Sequence, residues 1–359
     1  MQYLLRIFRG TLGACALLSA LLIPTRALAQ GCVAARGSGI PANMMDQGDD
    51  QDKWETSISY RWFQSDRHYV GTAYQAQRDA NGDQVINRSN FMDFGINYTV
   101  NSRWNVSATV PFVANDRSQV VKDSTGKILD RYHTQAYGLA DMSFSGNYWL
   151  FNPETAKKGN IQIGLGVVLP TGKHDVKDTF ESYDKTSGKI VSVVKAVDES
   201  IQPGQGGYGI SFALNLYRIL APNLSAYGSA YYEATPQEQN DVGNSISDTY
   251  LGRTGLEYSL PFIRGVSVSL GLRVEGVMVY DLFGGSNGFR RPGYSVAIDP
   301  GVSYSAHGWT FRLYVPTAIQ RDRLQSYPDK LKTWQTGKYT QGDAAFADYL
   351  IQWSISHRF

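Results

Sequence analysis

Apolar and polar residues alternate with a period of two along most of the chain beyond residue 53. Between 161 and 169, for example, every second residue is aliphatic and the residues between them are mostly polar or glycine. Such alternation predicts β-strands with one apolar and one polar face. Each candidate is about ten residues or longer, the length a tilted strand needs to cross a bilayer. The twelve candidate strands are 54–63, 90–100, 103–113, 137–151, 160–170, 207–219, 223–233, 248–260, 265–280, 292–305, 308–318 and 346–359.

The connections between these strands alternate between short and long. Turns of two or three residues occur at 101–102, 220–222 and 306–307. The other set is long: 64–89, 114–136, 171–206, 234–247, 281–291 and 319–345. Short periplasmic turns and long extracellular loops are typical of a bacterial outer-membrane barrel, in which both termini are periplasmic. The sequence therefore predicts an all-β fold, a transmembrane antiparallel β-barrel of about twelve strands, and an ordinary half-buried sheet does not explain the loop pattern.

The last strand carries a second membrane signature. Residues 349, 351, 353, 355, 357 and 359 are mostly aromatic or aliphatic and share one face, whereas Gln352, Ser354 and Ser356 share the other. The terminal Phe359 is similar to the C-terminal signal that the barrel assembly machinery reads. We therefore expect that machinery and outer-membrane lipid as partners, although a soluble sheet could also end on such a strand.

The N-terminus predicts export. Arg6 and Arg9 precede an apolar run at 12–23, and Ala27-Leu28-Ala29 offers a small-x-small cleavage site, so residues 1–29 are predicted to be a signal peptide. The mature chain would start near Gln30; a lipidated Cys32 is the alternative. Residues 30–53, with four aspartates, are predicted to be a flexible periplasmic segment that could also enter the lumen. Residues 54–359 would form the barrel.

Composition and charge exclude several functions. The formal charge of +2 falls by three, to about −1, when the signal is removed, so nothing indicates a nucleic-acid partner. Only Cys32 remains after processing, which leaves no intramolecular disulfide. The histidines are scattered over predicted loops, a turn and the last strand, which favours neither a metal site nor the Ser-His pair of a lipid-modifying barrel enzyme. No cofactor is expected, and we predict that the protein is not an enzyme.

The predicted lumen carries charges of both signs. If the apolar faces point to lipid, the inward set is Arg61, Arg103, Arg253, Arg273, Arg312, Asp93, Asp141, Glu257, Glu275 and Asp299, with Glu55, Arg358 and Asp348 in the same orientation. Twelve strands enclose a narrow space, so this set predicts a charge-lined channel for small solutes. The alternative is a closed structural or adhesive barrel that displays loops 171–206 and 319–345. The loop 171–206 could fold inward as a constriction.

Short motifs in the middle third of the chain resemble a known family. They are Gly138-Leu139-Ala140-Asp141-Met142 followed by Tyr148, then Leu169-Pro170-Thr171-Gly172-Lys173, with Val110-Pro111-Phe112 and Gln202-Pro203-Gly204-Gln205-Gly206. These stretches are similar to the outer-membrane family named for the meta-pathway of phenol degradation. The resemblance covers roughly residues 90–220 and implies a transporter-type barrel, proposed in that family to pass aromatic or other small hydrophobic compounds.

Overall fold

The computed structural model describes residues 30–31 and 53–359, most of which lie in strands. The strands are β1 (Gln30–Gly31), β2 (Trp54–Val70), β3 (Ala73–Tyr74), β4 (Ile86–Thr99), β5 (Trp104–Lys122), β6 (Ile128–Leu139), β7 (Met142–Trp149), β8 (Gly159–Leu169), β9 (Lys177–Asp184), β10 (Lys189–Ala196), β11 (Gly209–Ala221), β12 (Leu224–Ala234), β13 (Thr249–Ser259), β14 (Val266–Val277), β15 (Gly293–Ala306), β16 (Trp309–Tyr314), β17 (Thr317–Arg323) and β18 (Ala344–Arg358). Helices α1 (Ala76–Asn81) and α2 (Tyr327–Thr336) lie in connections. Neither helix is long and apolar enough to cross a membrane.

One antiparallel sheet closes on itself into a barrel with twelve strand positions, here called staves. Ten staves are single strands, and two consist of consecutive strands, β6 with β7 and β16 with β17. Strand β18 closes the ring by pairing with β2. At one end of this seam Trp54 and Phe359 exchange backbone hydrogen bonds of 3.0 and 2.9 Å. The predicted twelve-stranded antiparallel barrel is confirmed.

The outer face of the wall is apolar. Leu165, Leu270 and Leu272 expose 58%, 60% and 50% of their surface, and the neighbouring outward positions carry Ile, Val and Phe. The alternate, inward residues of the same strands are small, polar or charged and are mostly buried. Such a surface is stable where acyl chains replace water.

Several strands run beyond the predicted limits. β2 continues to Val70, and β5 and β6 form a hairpin in which Lys122 lies opposite Ile128. The loop assignments for 64–70, 86–89 and most of 114–136 were therefore wrong, as was the loop placement of His68 and His133. Both faces of these extensions carry polar residues, so the alternation that revealed the membrane-spanning part is absent there.

Each of the two divided staves breaks opposite a proline of its intact neighbour. Ala140 donates its N–H to the carbonyl of Pro111 in β5 (2.8 Å), and Val315 donates to Pro300 in β15 (3.1 Å). A paired residue in an antiparallel ladder would return the bond, but proline has no N–H. The carbonyl of Ala140 is instead bonded by the hydroxyl of Thr171 (2.8 Å). The prediction that this strand ends at 113, just after Pro111, was wrong, because β5 continues to Lys122.

Small hydrophobic clusters and loop elements gather at the end of the barrel remote from Trp54 and Phe359. Ala136, Val197 and Ile201 form one cluster, and Ala344 with Phe346 forms another. The hairpin of β9 and β10 stands beside β6, and α2 begins with a capping box at Ser326 and Asp329. β1 pairs with Ala344–Ala345. The predicted signal peptide and most of the predicted segment 30–53 lie outside the described residues.

Candidate functional site

Paired charges line the middle of the lumen. The Nε of Arg253 donates to Oδ2 of Asp299 at 2.7 Å, and Arg273 donates to Glu275 at 2.9 Å. Arg273 also donates to the amide oxygen of Gln352 at 2.9 Å. All five side chains are buried. Buried charges need such partners, because an unpaired charge in this environment is strongly destabilising.

The other predicted lumen residues are distributed along the wall. Arg61 lies with its guanidinium 4.6 Å from the ring centre of Phe91, and Asp93 accepts a hydrogen bond from Ser59 at 3.3 Å. Glu257 and Arg312 lie at inward, partly exposed positions of β13 and β16. Arg103 lies at the rim, where it donates to the Tyr148 hydroxyl at 3.0 Å.

Two predicted positions lie in the wall. Asp141 sits in the interruption between β6 and β7, with the backbone N–H groups of Gly172 and Gln205 at 2.9 and 2.8 Å from its carboxylate oxygens. Asp348 lies at a bulge of β18, partly exposed, and binds Arg67 and Arg321. Alternation alone predicted that Asp348 faces the lumen. The bulge changes the alternation of side chains at this point, so the prediction fails.

The motif residues other than Tyr148, which lies at the rim, assemble at one interruption. Thr171 donates to the Ala140 carbonyl and accepts from the Met142 N–H at 2.9 Å. Gly172 packs so closely on Gly204 that a Cβ added to Gly172 would lie 2.8 Å from the Cα of Gly204. Gly138 adopts φ +142° two residues before the break. Pro170 directly follows β8, so these motif residues complete the hydrogen bonding of the wall at the interruption.

Four ion-paired charges, of which Arg117 and Arg291 are buried, lie at the end of the lumen remote from Phe359, here called the outer mouth, and the sequence did not predict them. Arg291 binds Asp198 at 2.9 Å and Glu199 at 3.1 Å, and Arg117 lies 3.7 Å from Asp198. Burial alone would raise the pKa of Asp198, but the guanidinium groups of Arg117 and Arg291 outweigh it and hold that pKa well below its ordinary value. Arg117 was missed because β5 was predicted to end at 113.

Below this mouth lies an outer chamber of about 850 Å³. Its walls come from the segment 199–205, from 240–249, and from inward residues of the barrel. Most of its lining is amide or hydroxyl, including Asn115, Gln205 and Thr249. Part of the long loop 171–206 therefore does fold over the lumen, because Asn115 donates to the Ile201 carbonyl at 3.2 Å.

A second, inner chamber of about 440 Å³ is mainly apolar. Phe63, Phe346 and Leu350 line it from β2 and β18, with Arg273 and Glu275 as its charged members. Pro316 and Ala318, from the neighbouring stave, also line it. Alternation along β2 could have revealed Phe63, because Arg61, Phe63 and Ser65 share one face.

The inner chamber lies beside a gap in the barrel wall. β17 and β18 pair only where Thr317 meets Tyr349, and beyond that pair they separate. The guanidinium of Arg321 bridges the gap, donating to the Ala347 carbonyl at 3.2 Å and to Asp348 at 2.6 Å. Tyr349, which is outward and 45% exposed, also lines the chamber. The chamber therefore lies next to the place where the two strands separate.

Comparisons with known proteins support the fold. No protein-family model and no curated protein matches the chain. The chain is similar to an outer-membrane channel from Pseudomonas putida F1, at 8% identity and a TM-score of 0.56, over 89% of this chain and 100% of that one. This likeness shows the fold of an outer-membrane barrel.

Two further solved structures are more distant. The β domain of the Bordetella autotransporter BrkA has 12% identity and a TM-score of 0.44, over 86% of this chain and 100% of that one. The CymD monoaromatic hydrocarbon channel has 9% identity and a TM-score of 0.41, over 86% and 90%. At these TM-scores they add nothing to the fold assignment.

Proposed function

We propose that this protein is a passive channel or transporter of the bacterial outer membrane for small solutes, with the two ends of the barrel, Trp54 and Phe359, on the periplasmic side. The short turns lie at the end of the barrel that holds Trp54 and Phe359, which supports this orientation. The observation that carries the proposal is the inner chamber, which meets the charged lumen on one side and the gap between β17 and β18 on the other. A barrel with only a structural role has no need for such a space.

The inner chamber favours aromatic or other small hydrophobic compounds as solutes. Its walls of Phe, Leu, Pro and Ala offer apolar contact to such a solute. The gap beside it would let an apolar solute leave toward lipid without crossing the charged middle of the lumen. Membership of the phenol meta-pathway family is part of the proposal and is supported by the short motifs alone.

Conductance of the purified protein in planar bilayers tests the channel. We expect discrete current steps, and Arg273→Ala should increase cation selectivity because Glu275 loses its counter-charge. Arg312→Ala, at another inward position, should also alter the steps. The matched control is Arg88→Ala, whose partly exposed side chain bonds Gln64 on β2 and should leave the current unchanged. A folded but electrically silent protein would contradict the proposal and favour the closed structural or adhesive barrel.

A further inference from the structure

The outer and inner chambers share a single lining side chain of β2. Phe63 lines both chambers, with 2% of its surface exposed. Its ring is stacked with that of Phe91 at a centroid distance of 5.9 Å, and the Arg61 guanidinium lies over both rings, at 5.7 and 4.6 Å. Phe63 therefore separates a hydrogen-bonding space from an apolar one.

The outer chamber is electrically balanced. Its charged lining residues are Glu199 and Arg291, which bind each other at 3.1 Å, and the adjoining Arg117 and Asp198 add one further charge of each sign. A charged solute entering here would lose hydration without gaining an unbalanced counter-charge, so it would be disfavoured. An uncharged solute does not meet this penalty.

The remaining lining offers hydrogen bonds and aromatic contact. Asn244, Ser247 and Thr249 are polar residues on one side, and Phe63 and Phe91 lie on the other. Thr249 is 5% exposed, and its Oγ1 has no hydrogen-bond partner among the described residues. Hydroxyl or amide groups on a solute suit the first side, and an apolar ring suits the second.

We propose that the outer chamber is a selection site for uncharged solutes that carry hydroxyl or amide groups beside an apolar ring, and that Phe63 is the partition such a solute displaces to reach the inner chamber. The second part rests on the proposed channel function. The first part, binding in the outer chamber, stands without it.

Binding is tested with two probes, phenyl β-glucoside and phenyl β-glucuronide. The glucoside carries a neutral hydroxymethyl group where the glucuronide carries a carboxylate. Saturation-transfer NMR on the detergent-solubilised protein should detect the glucoside and show at least about tenfold weaker binding of the glucuronide. Thr249→Val keeps the side-chain shape, removes the hydroxyl, and should weaken glucoside binding about fivefold. Ser229→Ala is the control, because its buried Oγ also has no partner among the described residues but lies outside the chamber lining. Equal binding of both probes, or no effect of Thr249→Val beyond that of Ser229→Ala, would overturn the selection site.

The partition is tested by liposome swelling with the same two probes. Phe63→Ala should raise the swelling rate with the glucoside several-fold, and Phe63→Leu, which keeps most of the volume, should change it less. Retention of a compact, heat-modifiable band on gels identifies folded variants. A swelling rate unchanged by Phe63→Ala would refute the partition, while glucoside binding without any swelling or conductance would refute the channel function and leave the selection site standing.

Discussion

At the residue scale, aromatic rings that pack on glycines hold neighbouring strands in position. Tyr314 in β16 lies directly opposite Gly301 in β15, and its ring supports the Arg253 guanidinium at 4.2 Å. Tyr227 lies in the same way over Gly255 and Gly271. A side chain at any of these glycines would lift a ring out of the wall, so the inward aromatics and the strand glycines depend on each other.

Gly301→Ala tests this packing. The new Cβ would lie 2.5 Å from Cε1 of Tyr314, so we expect a loss of about 1–3 kcal/mol of stability from overpacking. The measurement is the free energy of unfolding in a urea series with folded barrels in detergent. Gly146→Ala is the matched control, since a Cβ there meets no atom within 4 Å. Equal stability of the two variants would contradict the packing role.

Asp299 is expected to be essential to the charged lumen. It is fully buried and accepts from Arg253, so Asp299→Ala leaves a buried guanidinium without its counter-charge and should cost about 3–5 kcal/mol. The double change Arg253→Met with Asp299→Leu should recover most of that loss, because it removes both charges. Unfolding of the three proteins under the same conditions measures the effect, and a double variant no better than Asp299→Ala would show that the pair is not the cause.

At the scale of elements, the two wall interruptions differ in how they are filled. The break between β6 and β7 is sealed by Thr171, Gly172 and Gln205, which come from the longest connection. The separation of β17 from β18 is bridged by the long side chain of Arg321. The break within one stave is therefore closed by residues of a loop, and the separation of two neighbouring strands by a single side chain.

Asp141→Ala should loosen the sealed interruption. Two backbone N–H groups would lose a carboxylate acceptor, which we expect to lower the local opening free energy by about 1.5–3 kcal/mol. Amide hydrogen exchange at Gly172 and Gln205 measures the opening. Asp130→Ala removes an exposed carboxylate of β6 and serves as control. Unchanged exchange in Asp141→Ala would disprove the sealing role.

Acid should weaken the anchoring of segment 199–205. The depressed pKa of Asp198 means that its stabilisation is fully present above the ordinary carboxyl pKa of about 3.9 and is lost as the pH falls through the lower folded value. Proteolysis of this segment should be faster in Asp198→Asn than in the parent at pH 5 to 7. The difference should shrink below about pH 4, and a difference independent of pH would contradict the assignment.

At the scale of the whole molecule, closure depends on the chain ends of the barrel. Phe359 and Trp54 exchange two backbone bonds, and Arg358 binds Glu55 at 3.1 Å across the same seam. The His357 and Phe359 rings stack at 5.7 Å on the outward side. Phe359 therefore has a structural role in closing the barrel, which is separate from any recognition during assembly.

Deletion of Phe359 should reduce the fraction of chains that assemble. We expect less of the compact, heat-modifiable form in outer-membrane fractions, because the seam loses two backbone bonds and the proposed recognition signal. Phe359→Tyr keeps the ring and the backbone and should assemble normally. If the deletion assembles as well as the parent, Phe359 has neither role.

The sequence predicted the parts of the fold that lipid constrains. Leu165, Leu270 and Ile355 revealed their strands because an acyl environment demands an apolar residue at every second position. The strand extensions near His68 and Arg117 could not be found, since polar residues occupy both of their faces and the apolar–polar alternation is absent there. The alternation placed Arg253 and Arg273 in the lumen correctly. Their pairing partners depend on the strand register, and the mouth residue Asp198 depends on loop packing. The alternation of apolar and polar residues contains no information on either.

The prolines opposite the two wall breaks limit how this barrel could change over evolutionary time. A substitution in the broken stave alone cannot restore the missing ladder hydrogen bond, because Pro111 and Pro300 have no N–H to donate. Sealing has to begin on the intact neighbour, in a strand that is already fully paired on its other side. Each break within a stave is thus encoded one strand away from where it appears.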